Sequence, residues 1–147
     1  MPSTRAMDAI TLPASLVSLE RVAGYVCALA RQANLPENAA YRLRLATDEI
    51  VSNIILHGYK GNAGEIQVRG GVEEDQVWLR VADQAPPFDP RTVRNEPCPD
   101  APVKDIRPGG LGLYLTRLAV DRFTYEFADG SNVNTIAISS RDDAGAA

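Results

Sequence analysis

Residues 46–59, ATDEIVSNIILHGY, constrain this chain more than any other stretch. Read as a helix, they place Glu49, Asn53 and His57 at i, i+4, i+8, one above another on a single side. Leu43, Ala46, Ile50 and Ile54 form an apolar stripe beside them at helical period. The polar row therefore runs along the rim of the buried face, where a carboxylate and an amide can serve a ligand on the core side of the helix. Alone, the pattern describes equally well a helix whose Glu and Asn merely edge the core. The rest of the chain has to decide.

Helical periodicity precedes this stretch. Leu16, Leu19, Val22, Ala23, Val26, Leu29 and Ala30 make one broad stripe, with Ser15 placed to cap the helix and Asn34 to end it. Pro36 suits the start of the next helix, which should run to about His57. Upstream, residues 9–12 suggest a short strand stopped by Pro13, and residues 1–8 a loose end. Three glycines within 58–64 mark a connection.

Alternation then takes over. Ile66 and Val68 share one side of a strand over 65–70, and Val77, Leu79 and Val81 share one face of the next. Asp83 has the parity of those last three. A carboxylate leaving a strand on its apolar face needs a donor, because an unpaired buried charge is costly. Residues 84–108 hold seven of the ten prolines and no hydrophobic period, a connection long enough to be functional or mobile. Gly109, Gly110 and Gly112 then lead into a helical pattern through Leu111, Tyr114, Leu115 and Leu118. A strand over 122–127, a hairpin signal at Asp129-Gly130 and a last strand over 133–139 follow. Residues 141–147 read as a frayed tail. The element order predicts a sheet covered on one side by helices, within one domain over 9–140.

Composition narrows the function classes. At 147 residues, with 45% hydrophobic and 23% charged residues, the chain can bury a proper core. A net charge of −4 and no basic block argue against a general nucleic-acid binder. No apolar run approaches a membrane span and no secretory signal is visible, so a cytoplasmic protein is expected. Cys27 and Cys98 read as free thiols, with one disulfide between them as the alternative; Cys27 reads as core packing and Cys98 as a lid residue. His57 is the single histidine, which removes any histidine-based metal cluster. Trp78 points away from Val77 and Leu79, to cover an outer sheet face or mark a contact surface.

The chemistry lies in the combination. Glycines ahead of a helix let backbone N–H groups approach an anion, and the helix dipole adds favourable charge. The cluster is neither a Walker A loop, lacking GK[ST], nor a Rossmann fingerprint, since it follows a loop. Asn53 can give an oxygen to Mg²⁺, which favours oxygen ligands and retains waters and phosphates. Asp83 can accept from an exocyclic amine such as adenine N6. Glu49, one turn from Asn53, can take a proton from an attacking hydroxyl.

In this order and spacing the sequence resembles the GHKL ATPase superfamily (the Bergerat fold of gyrase, Hsp90 and histidine kinases), and most of all its anti-sigma-factor serine/threonine kinases of the RsbW type. The resemblance runs from about Thr11 to Ser139. DEIVSNIILHGY is similar to the N box, DQAPPFDP to the first glycine box, and PGGLGLYL to the second. It implies an α+β fold: a two-layer α/β sandwich whose mixed, mostly antiparallel sheet is covered on one face by helices. It also implies Glu49 as catalytic base, Asn53 as Mg²⁺ ligand, Asp83 at the adenine, and Gly109, Gly110 and Gly112 beside the phosphates. Residues of about 84–108 correspond to the ATP lid, and the family's Gly-Thr pair appears as Asn134-Thr135, with Thr135 in the pocket lining. The implied cofactors are ATP/ADP and Mg²⁺. The implied partners are a sigma factor and a STAS-domain antagonist, with a homodimer allowed by the broad stripe of the first helix. Ala85 and Pro87 stand at the usual glycine positions of DxGxG, so the turn under the base must differ from the family's. A nucleotide-binding partner switch without kinase activity, and a detached histidine-kinase ATPase part, remain as alternatives.

Overall fold

The computed structural model describes residues 4–89 and 119–140. Strands β1 (Thr4–Ala6) and β2 (Ile10–Pro13) open the chain, and a 3-10 turn (Leu16–Ser18) leads into α1 (Leu19–Gln32). Helix α2 (Glu37–Asn53) follows and passes into a π-turn (Ile54–Gly58). Strands β3 (Glu65–Glu73), β4 (Gln76–Asp83), β5 (Arg122–Ala128) and β6 (Ser131–Ser139) complete it. They form one sheet in the order β1-β3-β4-β6-β5, with β2 also on β3, and every described pairing is antiparallel.

Alternation sorts the sheet into two faces. Ile66, Val68, Val77, Leu79, Val81, Ile136 and Ile138 are buried on the inner face. They meet Val22, Val26 and Leu29 of α1 and Leu43, Ala46, Ile50 and Val51 of α2 in a single core cluster. Close approach is needed at Gly70, where an added Cβ would lie 2.6 Å from Leu29 Cδ2, so Leu29 packs directly on the strand backbone. Tyr25 crosses the layers: its hydroxyl donates to Asp8 O and accepts from Gly70 N, both at 2.9 Å.

Several local expectations change. Residues 4–6 pair with Gly71, Val72 and Glu73 instead of trailing as a loose end. Three residues are too few to show a period, and the partner edge supplies the strand. Ser15 makes no cap bond; Ser18 Oγ donates instead to Pro13 O at 2.8 Å, and Leu16 is exposed within its 3-10 turn. Cys27 falls on the exposed side of α1, because the buried positions are Val22, Tyr25, Val26, Leu29 and Ala30. Asn34 does end α1: it takes a φ of 52°, and Leu35 N bonds back to Ala30 O at 3.0 Å. Asp129 and Gly130 both have positive φ (54° and 79°), as the two-residue hairpin between β5 and β6 requires. Trp78 lies on the outer face opposite Gly71, where a Cβ would collide with its ring at 2.6 Å. The Arg80 guanidinium sits 5.3 Å from the centre of that ring.

Candidate functional site

The π-turn at the end of α2 shapes the site. Tyr59 N bonds to Ile54 O at 2.8 Å, an i to i−5 closure that widens the last turn. His57 is thereby rotated out of the row begun by Glu49 and Asn53, and it is exposed. Tyr59 is carried inward. Its hydroxyl donates to Glu65 O at 2.7 Å and accepts from Gln84 N at 2.9 Å. One phenol thus ties the helix exit to the start of β3 and to the chain just after Asp83.

Asp83 ends β4 on the inner face and is 4% exposed. The donors its parity demands are present: Ala85 N and Asn132 Nδ2 both reach Oδ1 at 2.9 Å. Burial pushes the Asp83 carboxyl up, against the opposing pull of Asn132 and then Ala85 N. The bond from Ala85 N is a local side-chain turn, so the chain reverses here without positive φ at Ala85. An alanine is therefore admissible at this glycine position. Gly58 accommodates it, since a Cβ there would lie 3.3 Å from Ala85 Cβ.

Asn132 closes the corner. Besides Asp83 it donates to Ala85 O at 2.9 Å and Pro86 O at 3.3 Å, while its Oδ1 accepts from Phe88 N at 3.1 Å and from the Tyr125 hydroxyl. Asp83, Asn132, Asn134, Asn53, Pro86 and Phe88 line one pocket, with Ile50, Ile54 and Gly58 as its apolar side. Its free volume is about 10 Å³, room for roughly one water. Asn53, 4% exposed, donates its amide Nδ2 to Glu49 O at 2.7 Å, which leaves the amide oxygen for another group. That is the donor chemistry a Mg²⁺ ion bound chiefly through phosphates and water calls for. No cluster of three or more His, Cys, Asp or Glu able to hold a metal occurs among the described residues.

Glu49 is half-buried on α2, outside the lining of this pocket. Burial pushes its carboxyl up, and the neighbouring Asp48 adds to the shift. Asp48 is raised by burial too, with Arg44 Nε 3.9 Å from its Oδ2 pulling the other way, and its buried Oδ1 has no hydrogen-bond partner among the described residues.

The structure brings Asn53 and Asp83 together and keeps Glu49 one turn away. It places Thr135 elsewhere. Thr135 pairs with exposed Arg80, on the sheet face opposite Asp83. Gly109, Gly110 and Gly112, most of the lid, Lys104, Arg107 and Cys98 lie outside the described residues. Sequence reasoning missed Asn132 and named Asn134 only as the residue before Thr135 in the family's Gly-Thr pair, although the signal was there. Ile136 and Ile138 define the inner parity of β6, and Asn134 and Asn132 continue it.

Comparison with known proteins places the chain in a family. A family described as Histidine kinase-like ATPase domain matches residues 12–139. The serine-protein kinase RsbW of Listeria innocua is 34% identical over 134 residues, covering 86% of this chain and 84% of that protein. That of Bacillus licheniformis is 35% identical over 105 residues, covering 68% of this chain and 65% of its own length. For the Oceanobacillus iheyensis protein, 34% identical, the match spans about half of its length (52%). Among solved structures, the RsbU and RsbW domains of Rv1364c from Mycobacterium tuberculosis superpose with a TM-score of 0.62 at 16% identity, over 92% of this chain and 34% of that one. The catalytic domain of histidine kinase ThkA gives 0.52 at 18% identity, over 91% and 98%. The chain belongs to the histidine kinase-like ATPase domain family, among its RsbW-type members. No described helix is long and apolar enough to cross a membrane.

Proposed function

We propose that this protein is an ATP-dependent serine/threonine kinase of the anti-sigma type, which phosphorylates a STAS-domain antagonist and sequesters a sigma factor in the cytoplasm. The observation that carries the reading is the buried Asp83 carboxylate facing the same pocket as Asn53, its Oδ1 already bonded and its Oδ2 uncommitted among the described residues. An acceptor so placed suits the exocyclic amine of adenine. The RsbW relatives supply the activity class.

In this reading Asp83 orients the base and Asn53 would hold Mg²⁺ through its amide oxygen. When bound, the ion supplies charge neutralisation on the phosphates. Gly109, Gly110 and Gly112 would offer N–H groups to those phosphates. The antagonist's serine oxygen bonds to the γ-phosphorus as the β–γ bridging P–O bond breaks and ADP leaves. Glu49 takes the serine proton. Its raised carboxyl pKa brings it nearer the operating pH, which favours a general base. The remainder of the catalysis is positioning.

Incubation with Mg-ATP and the antagonist, followed by intact mass measurement, tests this. One phosphoryl increment on the antagonist, acid-stable and lost in Asn53→Ala, is the expected result. An unmodified antagonist under saturating nucleotide would sink the kinase reading. The narrow pocket favours a second reading, a partner switch without phosphoryl transfer, since its free volume of about 10 Å³ is far smaller than a base. Nucleotide-dependent release of the sigma factor without any mass change would select it.

A further inference from the structure

The sheet face turned away from the helices has no part in the reading above, and it carries an unfavourable pairing. Arg69 of β3 and Arg80 of β4 stand directly opposite each other, and Thr135 and Thr124 continue the row across β6 and β5. Like charges so paired, with Cβ atoms about 5 Å apart, destabilise a sheet. Both arginines are exposed, and neither has an ion-pair partner among the described residues. In the next row Trp78 lies between Gly71 and Ala137, and Ala137 pairs with exposed Arg122. Gly71 lets the indole lie against β3, and the Arg80 guanidinium sits 5.3 Å from the centre of that ring. Stacking on a ring occupies the face of a guanidinium and leaves its N–H edge for an acceptor.

In a chain of net charge −4 these arginines make a local excess of positive charge. Its setting favours one kind of anion. Glu65 and Glu73, at the two ends of β3, each lie about 13 Å along the strand from Arg69, and Glu126 of β5 shares their face. These acids border the patch and repel a long polyanion, whereas a short segment bearing a few carboxylates fits between them. Tryptophan beside arginine is also the composition on which protein contacts depend most. We propose that the outer face around Arg69, Arg80 and Trp78 docks an acidic segment of a partner protein. The two arginines bind its carboxylates while its chain lies over the indole. The proposal is independent of the nucleotide pocket.

Trp78 is the only tryptophan of the chain, so its fluorescence reports directly on the patch. The full chain is titrated with hexaglutamate, with hexaglutamine as the neutral control and a short oligothymidylate as the rival polyanion. Hexaglutamate should shift the Trp78 emission, with an affinity that falls about fivefold or more between about 0.05 M and about 0.5 M salt. Arg69→Glu combined with Arg80→Glu should weaken it about tenfold or more. Arg21→Glu combined with Arg31→Glu, at exposed positions of α1, changes the net charge equally and should weaken it less than about threefold. Without peptide, Arg69→Gln should melt no lower than wild type, because it relieves repulsion; a lowered melting temperature would give the pair a structural role and overturn the proposal. An equal loss in the α1 variant assigns the response to net charge, and tighter binding of oligothymidylate assigns the face to nucleic acid. Dissociation of an oligomer by the Arg69 and Arg80 substitutions, with no response to peptide, assigns it to a second copy. Each of these overturns the proposal, as does an emission that hexaglutamate leaves unmoved.

Discussion

The two halves of the buried face of β6 are equally hidden from water and chemically opposite. Ile136 and Ile138 are 1% and 0% exposed and pack into the core between sheet and helices. Asn132 and Asn134, each 2% exposed, continue the same face toward the end of α2. Burial alone does not separate core from site; hydrogen bonding does. The isoleucines need no partners. Asn132 is bonded at both amide atoms, whereas the Asn134 oxygen has no hydrogen-bond partner among the described residues. A strand that spends two inner positions on amides gives up apolar contact there, and such sacrifice of stability is characteristic of functional sites.

The largest effect should come from the apolar half. Ile136→Ala should cost about 2–5 kcal/mol of stability, the usual range for removing a fully buried branched side chain. Denaturant unfolding with and without Mg-ATP measures it. The nucleotide-induced gain should be unchanged, and a matching loss of nucleotide affinity would mean that the two halves are coupled rather than separate.

At the polar half the prediction reverses. Asp83→Asn keeps an acceptor for Ala85 N while removing the buried charge, and it should weaken Mg-ATP about 10- to 100-fold, as loss of a charged hydrogen bond does. Its stability should depend differently on pH. The folded protein holds the Asp83 proton more tightly than the unfolded chain, so wild-type stability is lost as pH rises from the ordinary carboxylate value through the raised folded one. The variant lacks that contribution. Melting curves of the two proteins should therefore converge as pH is lowered from neutral toward 4; parallel curves would show that burial of this carboxylate carries no cost.

The smallest effect sharpens the comparison across the sheet. Thr135→Val, on the outer face, should change stability by less than about 0.5 kcal/mol and nucleotide affinity not at all. Loss of nucleotide affinity in that variant would return Thr135 to the pocket.

Much of the architecture was legible because periodicity is a local property. The stripes of α1 and α2, the alternation of β3 and β4, and the Asp129-Gly130 hairpin were all readable in order. Parity alone put Asp83 on the buried face and required a donor for it. The helical spacing of Glu49 and Asn53 placed them one turn apart, and the resemblance to a kinase family gave them roles.

What the chain could not announce locally were the consequences of pairing. Three residues at 4–6 became a strand because β3 had an open edge. A π-turn moved His57 out to solvent and Tyr59 in, a change that depends on how the end of α2 meets the chain after β4. Asn132 could not be recognised as the partner of Asp83 until the register of β4 with β6 set them opposite each other. The sequence by itself determined which residues are apolar, where they repeat, and therefore the layers and the side of the sheet each residue faces. Only the tertiary structure decided which polar groups meet across that sheet, because a hydrogen bond depends on separations of tenths of an ångström between residues 49 positions apart.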